Sequence, residues 1–359
     1  MADLTIHPLE SWGFPIKGKL VIAGPCSAES EEQVMETALA LAGGPVHLLR
    51  AGIWKPRTRP DSFEGVGAKG LKWLKKAGKA AGLPVVVEAA CPEHVRQCLD
   101  HGIDAIWIGA RTTVNPFAVQ AIADSLAGVD IPVLVKNPVN PDVGLWIGAL
   151  ERLSRAGLLK LAAIHRGFSS FQKNEYRNRP HWEMVIELRR KIPHLPVVCD
   201  PSHICGNRTL LSEVSQTAMD LLMDGLMIEC HIDPDRALSD AGQQLRPERL
   251  WALLNALEMK KESAADPEFH LQIDKMRRKI DDIDFRLMRL LGERMEISRM
   301  IGREKKKKKI SILQPSRWRH IVKNRTAAGE KMNLSRAFTF DLFQKIHRES
   351  IRNQRLGKK

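Results

Sequence analysis

Four residues far apart in the chain carry the donor chemistry of a transition-metal site. Cys26, His203, Glu229 and Asp240 offer a thiolate, an imidazole and two carboxylates, a mixed S/N/O set suited to a divalent first-row ion. Their scattered spacing makes this a weak signal by itself, and two members have plain alternatives. Cys26 reads equally as a small buried apolar residue, and Asp240, in ALSDAGQQL, as a helix N-cap. A second set is cationic: Arg50, Lys55, Arg57, Arg111, Lys136 and Arg166. Cations gathered in one cleft repel each other unless anions are bound there. Guanidinium and ammonium groups suit phosphate and carboxylate. The expected substrate is therefore multiply anionic, or a pair of anions.

The elements that must gather these residues are legible as apolar runs: KLVIAG (19–24), VHLLRAG (46–52), PVVVEAA (84–90), AIWIGA (105–110), PVLVKN (132–137), LAAIHRG (161–167), PVVCDPS (196–202) and GLMIECH (225–231). Helix-like stretches lie between them, such as Glu31 to Ala42, Gly70 to Ala81 and Trp182 to Lys191. Repeated βα units imply a parallel sheet covered on both faces. Eight of them predict a closed (β/α)8 barrel over residues 1–258, whose catalytic face is the C-terminal end of the strands. An open doubly wound sheet is the alternative, but no GxGxxG opens a helix to support a dinucleotide site. Successive strands end in or run into Cys26, Arg50 with Lys55, Glu88, Arg111, Lys136, His165 with Arg166, Asp200 with His203, and Glu229 with His231. Polar residues at every strand end point to one site.

Composition separates a second domain. The chain of 359 residues has a net charge of +14, yet residues 266–359 hold 26 Lys/Arg against 12 Asp/Glu, leaving residues 1–265 neutral. MKKESAADPE (259–268) reads as a linker, and 269–359 as a helical domain. From Phe269 to Lys305 apolar residues recur at helical spacing with no proline, predicting one helix of about 36 residues, with shorter helices near Pro315 to Ala327 and Leu334 to Gln354. So long an apolar stripe needs a partner, and a homodimer is expected. Arg277, Arg294 and Lys305 are expected on one face of that helix, interrupting the apolar stripe with groups that need anions. A charged dimerisation module and a nucleic-acid module, suggested by Lys305 to Lys309, are the alternatives. No apolar run reaches a membrane span. The N-terminal segment lacks a basic start ahead of a long apolar block, so no signal peptide is expected. Six dispersed cysteines fit a reducing cytoplasm.

The barrel region resembles the short core form of the 3-deoxy-heptulosonate-7-phosphate (DAHP) synthases. GPCSAES (24–30), KPRT (55–58), IGART (108–112), VLVKN (133–137), HRG (165–167), DPSH (200–203), DGLMIECH (224–231) and ALSDAGQQL (237–245) carry the likeness in order over roughly 240 residues. The resemblance implies condensation of phosphoenolpyruvate with erythrose 4-phosphate, dependent on a divalent metal, Mn2+ foremost. It implies Cys26, His203, Glu229 and Asp240 as ligands, and Arg111, Lys136 and Arg166, with Arg50 and Lys55, as the phosphoenolpyruvate cradle. Arg57 and Thr58 would bind the aldose phosphate, Glu88 would position water, and Lys55 is the candidate to protonate the aldehyde oxygen. Metal-bound water and His203 are alternatives for that proton. The synthase of 3-deoxy-octulosonate 8-phosphate is the nearest rival. It carries an Asn-containing segment where this chain has Pro56-Arg57-Thr58.

Residues 270–356 resemble the all-helical chorismate mutases through MRRKIDDID, GERMEISRMIGREK and FQKIHRESIRNQ. The resemblance implies that Arg277 (from the other subunit), Arg294, Lys305, Arg317, Ser350 and Gln354 hold chorismate, with Lys305 and Gln354 at the breaking ether oxygen. Trp318 stands where that family commonly has glutamate, and Gln314 where aspartate is common. A regulatory domain that binds chorismate or prephenate without turnover is the alternative. The helical domain is also expected to regulate the barrel, with prephenate the candidate inhibitor. Neither nucleic acid nor membrane is expected as a partner.

Overall fold

The structure, a computed structural model, describes residues 4–56, 62–170, 175–260 and 267–356. It divides into two compact units, Met1–Glu262 and Ser263–Lys359.

In the first unit eight parallel strands close a barrel in chain order: β1 Leu20–Gly24, β2 Leu48–Ala51, β3 Val85–Ala89, β4 Ala105–Ile108, β5 Val133–Lys136, β6 Leu161–His165, β7 Val197–Cys199 and β8 Gly225–Glu229. Closure is made by β1 on β8, from Leu20 opposite Gly225 to Gly24 opposite Glu229. The helices are α1 Glu31–Leu41, α2 Lys69–Ala81, α3 Pro92–Asp100, α4 Ala110–Thr113, α5 Pro116–Ser125, α6 Val143–Arg155, α7 Trp182–Lys191, α8 Pro201–Cys205, α9 Leu211–Asp220 and α10 Pro247–Ala256. Their starts follow local chemistry. Ser30, Asn115, Asp142 and Asp200 each cap the helix that follows by accepting a backbone N–H.

The two-residue period of a strand sorts the barrel into layers. Leu20, Ile22, Leu48, Val86, Ala105, Trp107, Leu134, Ala162, Ile164, Val198 and Met227 form one inner cluster. Leu9 and Trp12, from the segment ahead of β1, join it. Their strand neighbours, such as Val21, Leu49, Val87 and Val135, pack outward against the helices. The same parity carries Arg50, Glu88, Lys136 and Glu229 inward, one step beyond the apolar floor. His165 has the opposite parity. Its ring lies among Trp146, Phe168 and Trp182, so it belongs to the strand–helix layer, not to the strand-end face on which the sequence grouped it.

The second unit is helical: α11 Pro267–Lys307, α12 Pro315–Lys331 and α13 Arg336–Leu356. At 41 residues α11 begins at Pro267, inside the stretch read as linker, whose residues 261–266 lie outside the described ones. α13 packs on both α11 and α12. Gly302 permits a close approach of α13 to α11. A Cβ there would stand 2.7 Å from the backbone of Gln354, so α13 crosses α11 in direct contact. Much of α11 stays uncovered, Met276, Ile280, Ile283, Leu287 and Leu290 among its exposed apolar residues. Among the described residues no helix is long and apolar enough to cross a membrane.

Candidate active site

A cleft of about 520 Å³ opens at the C-terminal ends of the barrel strands, bordered by Lys55, Glu88, Arg111, Lys136, Arg166, Arg177, Asn178, His203 and Asp240. Four of the six expected cations reach it. Arg50 does not line it: at 1% exposure it lies beneath, with one amino nitrogen 3.1 Å from Glu229 Oε1. Arg57 and Thr58 lie outside the described residues. Each cation is held from the protein side. Lys136 donates to Asp200 Oδ2 at 2.8 Å, Arg166 to Asn178 Oδ1 at 2.8 Å, and Arg111 to the Pro56 carbonyl at 2.9 Å. Burial pulls the Arg166 guanidinium down to about 10, and it lowers Lys136 against the opposing pull of Asp200. Desolvated cations of this kind gain most from a bound anion.

Beside the cations lies an anionic cluster. Ligand atoms of Cys26, Glu229 and Asp240 all fall within 4.8 Å of one another. Burial, with Glu229 next, pushes the Cys26 thiol up to about 11. Lys55 Nζ sits 3.0 Å from its sulfur. The Arg50 contact to Glu229 Oε1 is poorly aligned, so this buried oxygen makes no hydrogen bond. Asp240 occupies the N-cap position of a short 3-10 turn, but its side chain caps nothing. It faces Cys26 Sγ at 3.5 Å and accepts from Arg177 at 3.0 Å. Burial opposes ionisation of Asp240, yet Arg177 and His203 outweigh it and hold the group down at about 2.

His203 completes the neighbourhood. Its Nε2 is 3.8 Å from Glu229 Oε1, while Nδ1 is 2.8 Å from Asp200 Oδ2. Burial would raise Asp200, but His203 and Lys136 together keep it well below the usual carboxylate range. Burial lowers His203, favouring the neutral imidazole that a metal requires. The donor set therefore fits a divalent cation: a thiol, two carboxylates with one unsatisfied oxygen, and an imidazole oriented by a carboxylate from behind. His231 stands apart, 3.8 Å from Glu29 and outside the cleft lining.

Sequence reading missed Arg177. It follows β6 by twelve residues, in the loop ahead of α7, beyond the strand end where polar residues were sought. Its guanidinium bonds Asp240 and, at 2.9 Å, Gln243 Oε1; Gln243 in turn donates to Glu229 Oε2 at 2.6 Å. One arginine and one glutamine thus tie two of the clustered carboxylates together. EYRNRP offers only a polar run with a central Arg-Asn as its signal.

In the helical unit Arg294 donates to the Ser350 hydroxyl, Lys305 donates to the Ile312 carbonyl at 2.8 Å, and Gln354 keeps its Oε1 buried without a hydrogen-bond partner. These groups come from α11 and α13. Arg277 does not join them. At 100° per residue Lys305 lies about 20° round from Arg294, but Arg277 about 100° away and about 25 Å along the axis. Its side chain is 71% exposed, so the expected single basic face is corrected to a pair. Arg317 is exposed on the first turn of α12. Trp318 stacks on His347, centroids 4.3 Å apart, and Gln314 holds the N-cap position of α12 without a side-chain bond.

Comparison with known proteins agrees with both units. The model of the DAHP synthetase I family matches residues 17–265, and that of chorismate mutase type II matches residues 276–355. Phospho-2-dehydro-3-deoxyheptonate aldolase of Thermotoga maritima is 37% identical over 241 residues, 67% of this chain and 69% of that protein. A 2-dehydro-3-deoxyphosphooctonate aldolase of Nitratidesulfovibrio vulgaris is 29% identical over 268 residues, 67% of this chain and 90% of that protein. The crystal structure of the Thermotoga aldolase has a TM-score of 0.60 at 34% identity, covering 66% of this chain and 67% of that one. Its truncated form gives 0.58 at 32% identity, covering 66% and 84%. By family match and by identity, the chain belongs to the DAHP synthetase I family, and it carries a chorismate mutase type II domain after the barrel.

Proposed function

We propose that the barrel condenses phosphoenolpyruvate with erythrose 4-phosphate and water to give DAHP and inorganic phosphate, the entry step of aromatic biosynthesis. The observation that carries this is one cleft with desolvated cations on one side and a thiol–carboxylate cluster on the other. Arg111, Lys136 and Arg166 hold the enol phosphate and carboxylate, with Arg50 behind them; Arg57 and Thr58 receive the aldose phosphate. C3 of the enol forms a bond to the aldehyde carbon, whose oxygen takes a proton, for which Lys55 is the candidate donor. Water adds at C2 under the direction of Glu88, and the C2–O bond to phosphate breaks. The cations offset charge on phosphate and carboxylate throughout. Cys26, His203, Glu229 and Asp240 would hold the metal, Mn2+ first among candidates, which polarises the aldehyde when bound.

The relatives named for the octulosonate reaction make the five-carbon aldose the competing substrate, at lower identity than the heptonate aldolase. Phosphoenolpyruvate consumption with erythrose 4-phosphate or arabinose 5-phosphate, with and without chelator, decides between them. Activity confined to the four-carbon sugar, lost with chelator and restored by Mn2+, is expected. Preference for the five-carbon sugar would overturn the assignment.

We infer further that the helical domain rearranges chorismate to prephenate. The reaction is pericyclic and needs only a compact conformer held by cations. Arg294, Ser350, Lys305 and Gln354 supply one side, with Arg317 from the first turn of α12. Arg277 is too distant along α11 to serve the same site, so it acts from a second copy whose α11 covers the exposed apolar stripe. The protein on this reading is a cytoplasmic homodimer or higher homo-oligomer.

A further inference from the structure

The roles given to Arg50, Glu88 and Lys136 leave out the side chain that all three touch. Trp107 lies on β4, level with Glu88 on β3 and Leu134 on β5. Strand parity turns it into the barrel, where it is 1% exposed and directly beneath the cleft. Its indole Nε1 donates to Glu88 Oε2 at 3.1 Å. The Arg50 guanidinium carbon stands 5.0 Å from its ring centroid, and Lys136 Nζ 5.7 Å. Both distances fall within cation–π range, and the attraction is greatest for desolvated cations such as these.

Lys136 is also held by Asp200 at 2.8 Å, but Arg50 and Glu88 have few other restraints. Arg50 has Nε and one amino nitrogen buried without hydrogen bonds, leaving the ring and one misaligned contact to Glu229 to orient it. Glu88 Oε1 abuts Gly109, where a Cβ would approach to 2.1 Å, so that oxygen packs against bare backbone and Oε2 takes the indole proton. Arg50 and Lys136 repel each other, and Arg50 is among the groups lowering Lys136. The negative face of an indole near both cations offsets that repulsion where water is excluded.

We propose that Trp107 is a positioning residue for the phosphoenolpyruvate half of the site: its N–H sets the Glu88 carboxylate, and its face holds Lys136 at the cleft with Arg50 behind it. This rests on the synthase reading above. The two contributions separate by substitution. Trp107→Phe keeps an aromatic face and removes the N–H. Trp107→Leu removes both.

The test is steady-state kinetics of the metal-loaded full chain in both substrates, with thermal unfolding to select folded variants. For Trp107→Phe, kcat falls about 10-fold, the loss of one hydrogen bond to a charged group, while KM for phosphoenolpyruvate stays within about 3-fold. Adding Trp107→Phe to Glu88→Gln costs little more than Glu88→Gln alone, because the N–H acts through that carboxylate. For Trp107→Leu, KM for phosphoenolpyruvate also rises about 10-fold, as lost cation–π contacts require, while KM for the aldose moves less. A Trp107→Phe variant with the parent's kcat would overturn the proposal. So would fully additive effects with Glu88→Gln, or equal shifts in both KM values, since those mark a core residue that only fills space. A parent enzyme that consumes phosphoenolpyruvate with neither aldose would instead bring down the synthase reading, and this inference with it.

Discussion

Asp200 shows how much one residue of the site does. It caps α8 by accepting the His203 amide, bonds the His203 ring, and pairs with Lys136 at 2.8 Å. It thereby couples the imidazole of the candidate metal site to a cation of the proposed phosphoenolpyruvate cradle. Asp200→Asn keeps the shape and removes the charge. Metal affinity is expected to fall about 10–100-fold, the usual effect of losing the partner behind a ligating histidine. A competition titration against a chromophoric chelator measures this; unchanged affinity would mean His203 is held by other means. His165 behaves oppositely. Burial first, then Arg166, pull it down to about 3, against about 6.5 in an unfolded chain. Between those values the unfolded state binds a proton that the folded state refuses. The stability is therefore complete above pH about 6.5 and declines towards pH about 3, by about 1.4 kcal/mol per pH unit. His165→Phe is expected to flatten that part of the Tm–pH profile, and a profile matching the parent's would count against a neutral core histidine.

At the scale of elements, strand parity and helix crossing do the positioning. Inward parity on β2, β3, β5 and β8 turns Arg50, Glu88, Lys136 and Glu229 into the barrel at its C-terminal end, so their convergence needs no loop rearrangement. The α11–α13 crossing depends on Gly302. Gly302→Ala puts a methyl into the Gln354 backbone, an overpacking cost of about 1–3 kcal/mol. Lowered thermal stability of the helical unit and lost mutase turnover are expected, with synthase turnover kept. Differential scanning calorimetry with both assays checks this, and a fully active variant would show that the helices part without harm.

For the whole molecule, the uncovered apolar stripe of α11 is the feature that calls for a partner. On the proposed reading a second copy covers it and brings Arg277 to the site. The double substitution Ile280→Glu with Leu287→Glu is expected to give a monomer by sedimentation velocity and to abolish mutase turnover; Arg277→Ala should abolish turnover while the dimer persists. A monomeric parent protein would refute the shared site. A fusion of first and later enzymes of one route also invites feedback. Prephenate is expected to lower synthase turnover, which requires it to bind two states of the protein unequally. Synthase kinetics unchanged at saturating prephenate would exclude this.

Repeated apolar runs and a change of composition near residue 260 were enough to read a barrel followed by helices, because strand and helix periodicities are local. The motifs at strand ends were enough to name the candidate ligands and cations. What the chain's linear order left open was direction and company. The sequence grouped His165 with Arg166 at a strand end, and packing among Trp146, Phe168 and Trp182 decided that His165 is core. The contacts of Arg50 with Glu229 and Trp107 join residues from three strands. Arg177 reaches Asp240 and Gln243 from a loop more than sixty positions away. Such pairings are long-range, set by barrel closure and by which buried charges must find partners, and no spacing in the sequence encodes them.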